Sequence, residues 1–184
     1  MYVRTDRRKG RANRPSKKAG ESVDLQHEWF CGQIEANKTA MFRLARSILR
    51  RDADAEDAVA EAVLRSFAHL DALQKKGSVK SWLMRITANE AYRILYRRRN
   101  LVPLDEAVRE PAVPERNMDG EMSLWEHVKA LPDTLRATVV LFYYEDLPVS
   151  EIADILALSP GAVKTRLSRA RVLLRMRLEQ EDAQ

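Results

Sequence analysis

Residues 149–171 read VSEIADILALSPGAVKTRLSRAR, and this stretch decides the fold. Ile152, Ala153 and Leu156 recur at helical spacing after Ser150, a residue suited to cap a short helix. A tight turn is expected at Ala157-Leu158-Ser159. Ser159 then caps a second helix whose first position is Pro160, where a missing N–H costs nothing. On this second helix Val163, Leu167, Ala170 and Leu174 follow one another at helical spacing and form one apolar stripe. Thr165, Ser168 and Arg169 fall opposite it, with Lys164, Arg166 and Arg171 on the flanks. The pattern is a helix-turn-helix, with hydroxyls and a long cation facing base edges and flanking cations facing phosphates. A basic amphipathic helix in a bundle, or one facing a protein, would share the stripe but not the short first helix, the turn and the paired caps. Ala157 stands where a glycine would accept a left-handed backbone more readily.

The rest of the chain is helical too. Met41, Leu44, Ala45 and Ile48 recur at three and four, as do Ala55, Val59, Ala62, Val63, Phe67 and Leu70. Asp52 or Asp54 is placed to cap the second of these helices, with Glu56 and Asp57 in the first turn, where the helix dipole favours anions. Lys75-Lys76-Gly77-Ser78 interrupts the pattern. A third helix starts near Ser78 or Ser81 and carries Trp82, Leu83, Ile86, Ile94 and Leu95, with Trp82 facing the core. Ser123-Leu-Trp-Glu126 is a capping box. Pro132 and Asp133 open a further helix with Leu135, Val139, Phe142 and Tyr143 on its buried face. No segment alternates with period two, so the fold class is all-α. Proline, glycine and acids at 101–121 mark a linker. The expected organisation is a disordered basic tail at 1–23, a helical domain at 24–100, the flexible acidic linker at 101–121, and a second helical domain at 122–180.

Charge is distributed in blocks. The chain has 184 residues and a net charge of +5, but the first 20 carry eight Lys/Arg against Asp6 alone. That tail either holds nucleic acid loosely or is a dispensable leader. Asp52 to Glu61 contains five acids and no base, and Lys75 to Arg99 eight bases against Glu90 alone; 160–177 holds six bases and no acid. Alternating blocks suit polyanion contacts beside a separate acidic docking surface, or simply solvated faces. Catalysis finds no support: there is no phosphate-cradling glycine loop and no nucleophile motif. His27 and Cys31 sit four apart, yet zinc needs four ligands and no others follow nearby, so the pair reads as an exposed histidine and a partly buried cysteine. No cofactor or metal is expected. One cysteine excludes an intramolecular disulfide, and no apolar run suits a membrane span or signal peptide, so the expected location is cytoplasmic.

Taken together, the two halves resemble the extracytoplasmic-function group of bacterial RNA polymerase sigma factors. MFRLARSILRRDADAEDAVAEAVLRSFAHLDAL with SVKSWLMRITANEAYRILYRRR is similar to the family's region 2, and LPDTLRATVVLFYYEDLPVSEIADILALSPGAVKTRLSRAR to its region 4. The resemblance implies a non-enzymatic factor that binds core RNA polymerase and directs it to promoter DNA. For region 2 it implies core-binding residues Asp54, Asp57, Glu61 and Arg65, docking on the clamp helices of the β′ subunit. It also implies minus-10 contacts from Lys75, Lys76, Gly77 and Ser78 in a loop, and from Asn89, Tyr92, Arg93 and Arg97 on the following helix. For region 4 it implies minus-35 reading by Lys164, Thr165, Ser168 and Arg169, with Arg166 and Arg171 beside them. A further implied partner is an anti-sigma factor, in some members membrane-bound. The rival readings are a helix-turn-helix regulator acting without polymerase and a protein-binding adaptor.

Overall fold

The computed structural model describes residues 17–70, 73, 79–101 and 124–181. Its helices are α1 (Lys17–Leu49), α2 (Asp52–Ala68), α3 (Val79–Leu101), α4 (Leu124–Lys129), α5 (Asp133–Val139), α6 (Val149–Leu156) and α7 (Pro160–Glu181). Among the described residues there is no strand, and no helix is long and apolar enough to cross a membrane. Helix α1 begins at Lys17, inside the stretch expected to be disordered. Once Phe30 and Met41 anchor the helix in the core, propagating it backward adds a hydrogen bond per residue without a new nucleation cost. The linker and the Ser123 cap lie outside the described residues.

Helices α1 to α3 pack around Phe30, Met41, Leu44, Leu83 and Met84, all fully buried. Ala55, Ala58 and Ala62 on α2, with Ala88 and Ala91 on α3, are buried to the backbone and let the helices approach closely. Trp82 is half-buried with its ring 6.0 Å from Phe30, in agreement with a core role. Cys31 is exposed, against the expected partial burial.

Several caps differ from expectation. Helix α2 starts at Asp52 with Arg51 at the cap position and no side-chain cap, so Asp52 and Asp54 act through the dipole in the first turn. Helix α6 starts at Val149 after Pro148, which puts Ser150 inside the first turn. Proline's fixed φ sets the entry one residue earlier. Three helical segments end on non-glycine residues in the left-handed region: Arg50 (φ 66°), Asp146 (φ 54°) and Ala157 (φ 52°). Each costs roughly 1 kcal/mol of local strain, tolerated because packing on both sides defines the turn.

Between α5 and α6 the helix widens into a π-helical stretch, Val140–Tyr144, closed by Glu145 N–H donating to the Val140 carbonyl. The wider turn shifts the register of the buried face. Leu135 and Val139 are buried as expected and Phe142 is half-buried, but Tyr143 turns outward.

The two halves are not separate bodies. Leu141, Leu147, Ile152, Ile155 and Leu156 share one apolar core with α1 to α3. Polar contacts reinforce the seam. Buried Glu145 pairs with Arg43 of α1 and, at 3.1 Å, with Lys80 of α3, and Ser81 donates to Glu151. Arg136 Nη1 donates to the Ser47 carbonyl at 2.9 Å, and Arg50 pairs with Asp133 at 2.7 Å. Burial pushes the Asp133 carboxyl upward, but hydrogen bonds and charge from Arg50 and Arg136 win and hold it below its usual range.

Candidate nucleic-acid interface

The turn and second helix of the helix-turn-helix form as the sequence predicts, while the first helix starts without the expected Ser150 cap. Ser159 Oγ accepts from the Ala162 N–H at 3.1 Å, and Ala157 takes the left-handed turn position, φ 52° and ψ 49°. Leu158 N–H donates to the Ala153 carbonyl at 2.9 Å, which closes the end of α6. Val163, Leu167 and Ala170 are buried and Leu174 is half-buried. With that stripe held inward, Lys164, Thr165, Ser168, Arg169 and Arg171 are exposed on one outer surface. The Thr165 hydroxyl donates back to the Gly161 carbonyl at 2.9 Å, a local bond that would have to break for it to donate to a base. Arg166 is half-buried, and its charge opposes, without overcoming, the rise that burial imposes on the Tyr92 hydroxyl.

On α2 and α3 the expected residues divide differently. Asp57 and Glu61 are exposed, as four-residue spacing outside the alanine stripe requires. Asp54 is buried, because it lies one turn before Ala58 on the side facing α3, where Arg98 Nη1 reaches it at 2.9 Å. Asn89 and Arg97 are exposed, and Tyr92 and Arg93 are half-buried. Lys75, Lys76, Gly77 and Ser78 lie outside the described residues. Residues expected on two surfaces are joined: Arg65 and Arg93 both pair with Glu90, and Arg93 approaches Glu61.

Two exposed apolar side chains belong with these surfaces and were missed in the sequence. Leu64 is 66% exposed beside Arg65 and one turn from Glu61. Its signal was its position just off the stripe formed by Val59, Ala62 and Val63. Tyr96 is 61% exposed one turn beyond Tyr92 and beside Arg97. An exposed aromatic among arginines is a surface on which a base can stack. Among the described residues no cluster of His, Cys, Asp and Glu is placed to hold a metal.

Comparison with known proteins matches the same two halves. Residues 33–101 match the family model of sigma-70 region 2, and residues 121–174 that of sigma-70 region 4. The chain is 30% identical to the ECF RNA polymerase sigma factor SigM of Mycobacterium tuberculosis, over 73% of this chain and 69% of that protein. It is 29% identical to RNA polymerase sigma factor SigV of Bacillus subtilis, over 81% and 90% of the two chains. In fold it is similar to the sigma factor RpoE of Bartonella quintana, solved in complex with the anti-sigma factor NepR. That match has a TM-score of 0.70 at 23% identity, covering 82% of this chain and 96% of that one.

Proposed function

We propose a division of labour for this chain, which belongs to the extracytoplasmic-function group of the sigma-70 family of RNA polymerase sigma factors. As a sigma factor it binds core polymerase and directs it to promoters, and it is not an enzyme. Duplex opening needs no bond chemistry from it, because captured unpaired bases offset the cost of unstacking. The exposed face of α7 reads the minus-35 element through Lys164, Thr165, Ser168 and Arg169, with Arg166 and Arg171 on phosphates. Asn89, Tyr92, Arg93 and Arg97 of α3, with Lys75, Lys76, Gly77 and Ser78, take the minus-10 strand. Asp57 and Glu61 dock on core, with Arg65 beside them, and Leu64 supplies an apolar anchor. Asp54 contributes through Arg98 rather than by direct contact. The chain works in the cytoplasm, where polymerase and promoters are. The observation that carries this reading is the helix-turn-helix, whose polar face stays outside all core packing while its apolar stripe is buried.

The packed seam adds a condition. Minus-35 and minus-10 elements are separated by about 25 base pairs, or roughly 85 Å of duplex at ~3.4 Å per pair. Here α3 and α6 are in contact, with Ser81 of one donating to Glu151 of the other. Both elements cannot be engaged until α6 leaves α3. The 22 residues between Leu101 and Leu124 reach about 75 Å at full extension, and the breadth of the two halves supplies the rest. An anti-sigma factor that grips both halves would hold the chain in the packed form.

Promoter-specific transcription by purified chain and core polymerase tests the reading. A regulator acting without polymerase would bind DNA and start nothing. Within that assay, Arg169→Ala or Lys164→Ala should lose about 1–3 kcal/mol of minus-35 discrimination if the residue contacts a guanine bidentately. A uniform loss of affinity across promoters would make these side chains phosphate contacts instead. Replacing Asp57 and Glu61 together with Lys should weaken association with core by at least about tenfold. Folding stability should move by roughly half a kcal/mol per site, since both side chains are exposed. A folded double mutant that binds core as the parent does would remove this face from the mechanism.

A further inference from the structure

Glu90 is the sole acid in the basic block from Lys75 to Arg99, and it is 2% exposed. Its two oxygens are divided between two helices. Oε1 pairs with Arg65 Nε of α2 at 2.7 Å, and Oε2 accepts from Arg93 Nε of α3 at 2.6 Å. Both arginines remain substantially exposed, at 50% and 37% of their side chains. Each is therefore held by its inner Nε edge while the outer Nη edge remains available to a partner. Arg93 Nη2 also approaches Glu61 Oε2, but only at 3.7 Å, a loose contact between half-exposed groups. The result is a neutral chain of four charges, Arg65–Glu90–Arg93–Glu61, that starts and ends on the acidic helix and passes through the basic one.

We propose that Glu90 is a positioning residue that aims Arg93 at promoter DNA and couples that contact to polymerase docking on α2. This rests on the assignment of Arg93 to DNA and of Glu61 and Arg65 to core. A basic group on the polymerase that engages Glu61 draws it from Arg93 and frees the Nη edge for a phosphate or base. Glu90 keeps the guanidinium in place while that exchange happens. Burial makes the carboxylate a stringent anchor, because it is costly to leave without its cations. By linkage the coupling is reciprocal: DNA held by Arg93 tightens the hold on core.

The variant Glu90→Gln preserves shape, but its amide can accept from one arginine while its NH2 faces the other. The test uses the full chain, core polymerase and a labelled fork DNA with a single-stranded minus-10 element. Glu90→Gln should lower fork capture by the holoenzyme about tenfold while changing core association without DNA by less than about threefold. Arg93→Lys keeps the charge but lacks the second edge, and should show the same loss. It is half-exposed and decides the matter alone if Glu90→Gln does not fold. The combined Glu90→Gln and Arg93→Lys protein should be no worse than either single variant. Equal loss in core association and fork capture, or multiplying losses in the double variant, would make Glu90 a folding residue only. Parental fork capture by Arg93→Lys would also overturn the proposal. If Arg93→Ala also leaves fork capture unchanged, the minus-10 assignment of Arg93 falls with it, a different failure with its own signature.

Discussion

Tethering α3 to α6 should reduce promoter-specific transcription to background, and cutting the tether should restore it. Ser81 donates to Glu151 across the seam, so cysteines at those two positions would lie within reach of a short cleavable bismaleimide. Cys31 is exposed and would be replaced with serine first. With the halves tied, the faces assigned to two elements roughly 85 Å apart on the duplex stay on one packed body, and no bending of a short promoter closes that gap cheaply. The tether leaves Asp57 and Glu61 untouched on α2, so the linked chain should still associate with core. Loss of initiation with retained association is the expected pair of results. A tethered chain that initiates at the parental rate, with cross-linking complete, would mean that the seam persists in the initiating complex and that the element assignments are wrong.

The seam was the least legible feature of the sequence. Period located the described helices other than the start of α1, which was expected in a disordered tail, because an amphipathic helix announces its own buried face. Period does not say which buried face meets which. Ile152 and Leu156 read as inward in either case, whether against α7 or against α1 to α3, and the proline-rich acidic stretch argued for independence. Glu145 and Arg136 carried no signal at all: each is a charged residue in an apolar context, and only the tertiary fold brings Arg43, Lys80 and Ser47 to them. Tyr143 was misplaced for a local reason, the π-helical turn, which breaks the 3.6-residue period on which the reading depended.

The candidate site was legible in proportion to how locally it is built. The outer face of α7 follows from one helix and its cap, and five of its six expected residues are exposed. Arg166 is the exception, half-buried on the flank of the helix. On α2, Asp57 and Glu61 follow from their own spacing, while Asp54 needs Arg98, forty-four positions away, to explain its burial. Glu90 looked like an isolated acid in a basic run. Its two arginines make it the link between faces that the sequence kept apart.

Arg136→Met should cost about 3 kcal/mol of stability, the largest effect expected of a single substitution here. Arg136 is 2% exposed. Nη1 donates to the Ser47 carbonyl and Nη2 to the Leu131 carbonyl, both at 2.9 Å, and Nη2 also meets Asp133 Oδ1 at 2.6 Å. Ser47 lies in the last turn of α1, where carbonyls lack an intrahelical partner, so this side chain from α5 caps a helix of the other half. Burial lowers its pKa and Arg50 adds to that, but Asp133 opposes both, and the guanidinium stays charged at any working pH. Methionine fills a similar volume, so the cavity term is small. What is lost is satisfaction of two buried carbonyls, at about 1–3 kcal/mol each. Part of this is offset because a buried charge is no longer desolvated and Asp133 retains Arg50. Because the bond to Ser47 crosses the seam, the C-terminal half should lose its support first. Urea titration followed by circular dichroism should show an earlier transition that is less cooperative than the parent's. Arg136→Lys, with a single ammonium in place of a fork, should recover only part of the loss. A methionine variant within about 1 kcal/mol of the parent, with its cooperativity intact, would show that α5 holds to α1 by apolar contact alone.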